Sequence, residues 1–319
     1  MHDITLHPAP PLAVVIVNFN TGPHLQRCLE SLTSHLERPY EAVVVDNAST
    51  DGSADCVGQF GDAVRLLTNR TNAGFARAVN RGVRDTHAPF VLLLNPDAQI
   101  SPASVALLLY ELRAQPACAV ISPAVLNEDG SFQGNARGDM TLSTGLFGRT
   151  TLLSRWLPDA REARRNVIRG AEVPEGVTSV PVDWVSGACW LIRREAFERA
   201  GGFDEGYFLF FEDADLCRRL RQQGYEVRYM PSVRLTHVGG QSSLSIDARR
   251  RAIREFHRSA YRYFRAHVPS GGHVLGRCVG WLLLRLRCWM LLAGTWRAAR
   301  ETGALTPSGP SAARPRSLR

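Results

Sequence analysis

Leu12-Ala13-Val14-Val15-Ile16-Val17-Asn18-Phe19-Asn20 runs through six uninterrupted apolar residues and ends on two asparagines. An apolar run this short and continuous predicts a strand buried on both faces, not one that alternates between core and solvent. The same texture returns at Glu41–Val45, Val64–Leu67 and Phe90–Leu94. Helical patterns lie between these runs. Pro23–Leu36 spaces Leu25, Cys28, Leu29 and Leu32 along one face behind an early proline. Gly74–Thr86 and Ser101–Ala114 behave similarly, and Ser101-Pro102 reads as an N-cap followed by a first-turn proline. Strand–helix–strand repetition predicts an α/β fold with a mostly parallel, Rossmann-like sheet and right-handed crossovers.

In such a sheet, ligands bind beyond the carboxyl ends of the strands. Those ends carry Asn18 and Asn20, then Asp46-Asn47-Ala48-Ser49-Thr50-Asp51-Gly52-Ser53. Asn69 leads into Asn72-Ala73-Gly74-Phe75, and the fourth run ends in Asn95-Pro96-Asp97. Asn and Asp are ordinary turn formers, and Asn95-Pro96-Asp97 alone reads equally well as a capped turn. Four such ends along one edge point to a polar ligand. No Gly-x-Gly-x-x-Gly and no Walker-type loop is present, which argues against a dehydrogenase or a P-loop enzyme. A diphosphate would instead have its charge offset by a divalent cation on Asp97.

A second cluster begins at Gly201-Gly202-Phe203-Asp204 and continues from Phe208 to Leu220. Glu212, Asp213 and Asp215 fall within four residues, where an aromatic run turns into a helix expected to stop at Gly224. A helix N-terminus offsets about 0.3–1 kcal/mol of repulsion per acid, and an apolar wall beside one carboxylate makes it a better base. Simple capping is the other reading. His237 follows a short strand, expected over Tyr225–Tyr229, and a turn at Pro231; a lone histidine of this kind is more often structural than a ligand.

Charge divides the chain. Residues 1–240 hold 23 Arg against 27 acids, whereas residues 241–319 hold 15 Arg against 3 acids, within a net charge of +8. Lysine is absent. A basic end favours a polyanionic partner, and without nucleic-acid motifs anionic lipid is expected over nucleic acid. Ile246–Val268 reads as an Arg-rich helix. Leu275–Trp296 is strongly apolar but is interrupted by Arg277, Arg285 and Arg287. That argues against a membrane span and leaves an interfacial helix or a helix packed on protein. Seven widely spaced cysteines without a Cys-x-x-Cys pair read as reduced core thiols. Met1–Pro11 has no signal-peptide pattern, so a cytoplasmic location is expected. The expected units are a catalytic domain over 1–243 (halves 12–100 and 118–243), a helical extension over 244–304 and a disordered tail over 305–319. Within the domain, Asn127–Gly130 reads as a hairpin turn, 137–178 as a loop and Val180–Ile192 as a β stretch.

Four of these stretches, in their order and spacing, resemble family 2 of the glycosyltransferases: Val45–Ser53, Asn72–Ala76, Leu94–Asp97, and Gly201–Asp204 continuing through Glu212–Leu216. The match runs from Val14 to about Ser243. It implies the GT-A fold, a nucleotide-sugar donor and a single displacement that inverts the anomeric carbon. It also implies roles. Asp46 would read the donor base, and Asn18, Asn20, Asn47, Asn72, Gly74, Asn95 and Asp97 would line the nucleotide-sugar pocket. Asp97 would be the surviving carboxylate of an Asp-x-Asp motif whose first position is Asn95 here, holding Mg²⁺ or Mn²⁺ with His237. Asp213 resembles the general base, with Glu212 beside it and Gly187 and Asp215 on the acceptor side. Asn95-Pro96-Asp97 and the tail residues His257, Tyr263, Phe264 and His267 most resemble bacterial rhamnosyltransferases. These use dTDP-rhamnose and extend cell-envelope glycans on lipid carriers, which implies work at the inner face of the membrane. A UDP-hexose donor, or a non-catalytic sugar-nucleotide-binding protein, is the alternative. The lack of a Gln-x-x-Arg-Trp motif argues against a processive synthase.

Overall fold

A computed structural model describes residues 12–33, 40–139, 177–239, 245–268 and 273–301, the last six by backbone alone. Met1–Pro11, most of the loop expected over 137–178, and the tail 305–319 lie outside the described residues.

The first half is the expected open sheet. Strands β1 (Leu12–Asn18), β2 (Tyr40–Asp46), β3 (Val64–Thr68) and β4 (Phe90–Leu94) are all parallel, in the order β3-β2-β1-β4. Helices α1 (His24–Thr33) and α2 (Phe75–Arg84) and a 3₁₀ segment over Ser53–Ala63 cross between them. The continuous apolar runs are explained by two cores. Leu12, Val14 and Ile16 pack with Leu25, Cys28, Leu29 and Leu32 of α1. Ala13, Val15 and Val17 pack on the other face with Ala76, Val79 and Val83 of α2. Because side chains alternate faces, a strand covered on both sides needs an apolar residue at every position. Asn18 pairs with Asp46, and Asp46 with Thr68, so the polar strand ends are level with one another.

The second half departs from a purely parallel sheet. After β5 (Ala98–Gln99) and α3 (Pro102–Ala114) come β6 (Cys118–Leu126), β7 (Ala136–Arg137), β8 (Val180–Val182), β9 (Trp184–Val185) and β10 (Cys189–Arg193). Ser101 caps α3 by accepting from the Ser104 amide, as expected. The turn at Asn127–Gly130 is also present, with Gly130 at φ 79° and its N–H donating to the Asn127 carbonyl. The stretch read as one β run, Val180–Ile192, is three strands. β8 joins the main sheet, β9 pairs with β7 in a separate ribbon, and β10 enters the main sheet antiparallel between β4 and β6.

Helix α4 (Arg194–Arg199) and helix α5 (Glu212–Gln222) precede β11 (Glu226–His237). Pro231 does not end a strand in a turn. β11 runs through it, and the register against β6 shifts between Met230 and Arg234. A proline with no N–H to donate is accommodated at such an irregularity. The strand continues until His237 pairs with Ala98. Two long helices close the chain: α6 (Ile246–His267) and α7 (Val274–Glu301).

Candidate active site

The level strand ends form a hydrogen-bonded floor. Asn18, fully buried, donates from Nδ2 to Asp46 Oδ1 (2.9 Å) and to the hydroxyls of Ser49 (3.1 Å) and Ser53 (2.9 Å). Ser49 in turn donates its hydroxyl to Asp46 Oδ1 (2.6 Å) and its amide to Oδ2 (3.1 Å). Asn20 Oδ1 accepts from the Thr50 amide (2.8 Å), locking the β1 loop to the β2 loop. Asn47 serves the frame instead of opening onto the cleft. Its Oδ1 accepts from Asn69 Nδ2 (2.8 Å) and the Ala73 amide (3.1 Å), while its Nδ2 donates to the Gly74 carbonyl (3.2 Å), with the residue 2% exposed. Asn72 Oδ1 accepts from the Gly74 amide (3.0 Å).

Gly74 couples the two halves. A Cβ there would lie 2.6 Å from the Phe208 carbonyl oxygen, and the adjacent Phe75 amide donates to that same oxygen at 2.8 Å. With φ 89° and ψ 166°, Gly74 occupies a region essentially closed to other residues. The second half is braced from α2: Asn80 donates to the Phe203 carbonyl (2.9 Å) and accepts from the Phe203 amide (3.0 Å), holding Gly201-Gly202-Phe203-Asp204.

Among the described residues, four non-glycine residues have positive φ: Asn20, Ala48, Phe210 and Phe211. Asn20 and Ala48 lie just after β1 and β2, and Phe210 and Phe211 just before α5. Asparagine tolerates that conformation, whereas Ala and Phe are strained by it. Phe210 and Phe211 immediately precede α5 and aim its first turn. Their strain is held by packing: both rings meet Phe256 of α6 (5.7 and 5.2 Å between centroids), and Phe211 also meets Tyr263.

The three acids of that turn separate. Asp213 is half-buried; its carboxylate accepts from the Gly187 amide (3.2 Å) and its own neighbour Ala214 (2.8 Å). Burial raises its pKa, partly offset by those amides and by the nearby positive charge of Arg137. Glu212 is buried, its Oε2 has no hydrogen-bond partner among the described residues, and burial followed by the Asp213 charge pushes its pKa well up. Glu212 therefore holds its proton more tightly than an ordinary carboxyl. Asp215, expected on the acceptor side, turns away from it. It is buried between Arg219 (2.7 Å), His267 Nε2 (2.6 Å) and the Tyr207 hydroxyl (3.5 Å), with both oxygens committed. Burial alone would raise its pKa, but the His267 hydrogen bond and the Arg219 charge bring it below the ordinary value.

Asp97 and His237 meet at 3.1 Å because the continuation of β11 past Pro231 lays His237 beside β5. Gln133 orients the imidazole. Its Nε2 donates to the His237 carbonyl (2.7 Å), which can only accept, so its Oε1 faces Nδ1 (2.9 Å) and Nδ1 carries the proton. Nε2 is thereby directed at Asp97 Oδ1, with Asn95 Nδ2 at 3.2 Å. His237 Nε2 and Asp97 Oδ1 thus stand side by side as one nitrogen and one carboxylate oxygen, a donor pair that a divalent cation can use. Asp97 stays below its ordinary pKa. Burial works against this, and the His237 and Gly239 contacts outweigh it. Among the described residues no three His, Cys, Asp or Glu side chains converge, so a cation here would draw further oxygens from a bound diphosphate or water. The donor set of one carboxylate and one imidazole fits Mg²⁺ or Mn²⁺ on those terms.

One short stretch joins this pair to Asp213. The Asn95 amide donates to the Ala188 carbonyl (3.0 Å), and the Gly187 amide donates to Asp213. Gly187-Ala188 thus contacts both Asn95, two residues before Asp97, and Asp213. Arg137 and Gln133, which no motif singled out, also serve the site; nothing in their local sequence marks them, since each arrives through pairing of distant segments.

The family described as Glycosyl transferase family 2 matches residues 13–201. An N-acetylglucosaminyl-diphospho-decaprenol L-rhamnosyltransferase of Mycobacterium tuberculosis is 36% identical over 245 residues, covering 73% of this chain and 77% of the relative. In fold, the chain is similar to GalNAc-T7 solved with UDP, GalNAc and Mn²⁺. There the TM-score is 0.56 at 17% identity, over 84% of this chain and 53% of that one. It is also similar to the mannosyltransferase PcManGT of Pyrobaculum calidifontis in complex with GDP-Man and Mn²⁺, with a TM-score of 0.53 at 18% identity over 94% and 77% of the two chains. With its GT-A fold and its sequence match over more than half its length, the chain belongs to glycosyl transferase family 2 and is an inverting glycosyltransferase.

Proposed function

We propose that the chain transfers L-rhamnose from dTDP-rhamnose to a lipid-linked glycan acceptor at the inner face of the cell membrane. The observation that supports this reading is that Gly187-Ala188 contacts both Asp213 and Asn95, which stands beside the Asp97–His237 pair. The printed activity of the mycobacterial relative supports the sugar and the acceptor class.

In this reading Asp46, held rigid by Asn18 and Ser49, meets the donor base, and Asn20, Asn72 and Gly74 shape the nucleotide pocket around it. Asp97 and His237 would hold Mg²⁺ or Mn²⁺, which would offset charge on the leaving diphosphate, with Asn95 beside them. Asp213 takes the proton of the acceptor hydroxyl as that oxygen attacks the anomeric carbon from the opposite side. Glu212 stands beside the base, its pKa raised by burial and by the Asp213 charge. No covalent nucleophile is needed, because a single displacement inverts the centre.

The test is transfer itself. With dTDP-rhamnose, Mn²⁺ and a polyprenyl-diphosphate-linked acceptor, product and dTDP should appear in equal amounts, with the new linkage of opposite anomeric configuration to the donor. Turnover with UDP-hexoses and none with dTDP-rhamnose would overturn the donor assignment. Binding of dTDP without turnover on any acceptor would return the chain to a binding role.

A further inference from the structure

Helix α7 presents Leu275, Val279, Leu282, Leu286, Trp289 and Met290 to solvent, with Leu282 at 61% and Leu286 at 52% exposure. Residues Val274–Thr295 are long and apolar enough to cross a membrane, judged by length and composition. The tertiary structure argues for a different placement. α7 lies antiparallel along α6: Arg250 Nε donates to Thr295 Oγ1 (3.1 Å), and Arg287 meets His257 Nε2 (2.9 Å). Gly280 approaches the Phe264 ring so closely that a Cβ would stand 2.5 Å from it. α6 carries Arg251, Arg254, Arg258 and Arg265, all exposed and spaced by three, four and seven residues along one face. The same helix is tied to the catalytic domain by Arg262 to Asp204 (2.7 Å), His267 to Asp215 (2.6 Å) and the Ser259 hydroxyl to the Leu209 carbonyl (2.8 Å). A spanning α7 would pull this arginine row into hydrocarbon, where each charge is costly. α7 has no clean polar face of its own; the amphipathic unit is the hairpin.

We propose that the α6–α7 hairpin docks in the plane of an anionic lipid bilayer, with the Leu282–Leu286 face of α7 in the headgroup–acyl boundary and the α6 arginines over the headgroups. Charge complementarity selects this occupant over a second copy of the chain, since a symmetric pair would bring two like-charged rows together. Arg285, exposed within the apolar face and lying over the Trp281 ring at 5.4 Å, can keep its charge at a lipid–water boundary by extending along that surface. Because α6 also holds Asp204, Leu209 and Asp215, docking sets the orientation of the Asp213 segment to the bilayer. The inference deepens the reading of a lipid-linked acceptor but stands on separate residues.

Flotation of the full chain with vesicles of phosphatidylcholine, alone or with 30% phosphatidylglycerol (roughly the anionic fraction needed for surface attraction), tests it. The chain should float with the anionic vesicles and release into alkaline carbonate. The double variant Leu282→Glu/Leu286→Glu, altered only at exposed positions, should partition at least about tenfold more weakly yet keep its transfer rate on a water-soluble acceptor. Resistance to carbonate would show a span and overturn the proposal. So would equal flotation of variant and parent, or a parent dimer that the variant dissolves without any vesicle binding. Flotation without rhamnose transfer would sink the proposed donor and leave docking in place; transfer without flotation would do the reverse.

Discussion

Gly74→Ala tests whether contact between the nucleotide half and the base-bearing segment is needed for activity. The added Cβ would stand 2.6 Å from the Phe208 carbonyl oxygen and 2.9 Å from the Phe208 ring, well inside the ordinary contact distance. Relief requires moving backbone, because the carbonyl oxygen cannot rotate away while it accepts from the Phe75 amide. The φ/ψ of Gly74 adds strain of about 1–3 kcal/mol for a residue with a side chain, and the overlap adds about 1–3 kcal/mol. Together these predict a loss of about 2–6 kcal/mol in stability. The displaced Phe208–Phe211 segment leads directly into Asp213, and a shift of about 1 Å at a reacting group lowers turnover on the order of 10²-fold. Gly130→Ala is the control: φ is 79° there, but nothing lies within 4 Å of the added Cβ. It should show only part of the stability loss and keep full activity. Thermal denaturation and kcat/KM of both variants are the assay. If Gly74→Ala matches Gly130→Ala in Tm and retains parental kcat/KM, the two halves are not coupled through this contact.

Other outcomes follow from the same geometry. Asp213→Asn should lower kcat by about 10²–10⁴-fold while dTDP binding, read by calorimetry, stays near the parental value. Activity should rise with pH as Asp213 loses its proton, at a pKa above the ordinary carboxylate value because of burial. Arg137→Gln removes a charge that lowers this pKa, so the acid limb of the kcat/KM profile should move to higher pH; a limb that stays put would separate Arg137 from the base. Gln133→Met should weaken activation by Mn²⁺ by about 10–100-fold through loss of imidazole orientation, measured as the Mn²⁺ concentration giving half-maximal rate. Asp215→Asn should cost about 3–5 kcal/mol by leaving Arg219 and His267 without their partner. Because the folded-state pKa of Asp215 is lowered, its contribution is present above the ordinary carboxylate pKa and is lost as pH falls through the folded value. The Tm difference between variant and parent should therefore shrink in acid.

Much of the architecture was legible because it repeats locally. A strand buried on both faces must be apolar at each position, so the boundaries of β1, β2 and β4 could be read within a residue or so, whereas β3, read the same way, proves to be an edge strand with Arg65 and Leu66 exposed. Ser101-Pro102 marked the start of α3, and Gly224 the end of α5, for equally local reasons. What misled was tertiary. Pro231 reads as a turn from its neighbours alone, but its missing N–H is tolerated where β11 slips against β6. Asp215 carries the same charge as Asp213 two residues earlier, yet two positions along a helix face nearly opposite ways, so one borders the cleft and the other binds Arg219 and His267.

The amino-acid order by itself determined the α/β class, the polar strand ends, the acidic helix start and the basic, apolar end of the chain. These follow from periodicity and composition over a few residues. Only the tertiary structure decided that Gln133 orients His237, that Gly187-Ala188 bridges Asn95 and Asp213, and that α6 lies against the apolar α7. Each is a contact between segments far apart in the chain. The physical reason is that a hydrogen bond or a packing contact depends on distance in space, which local sequence pattern does not encode.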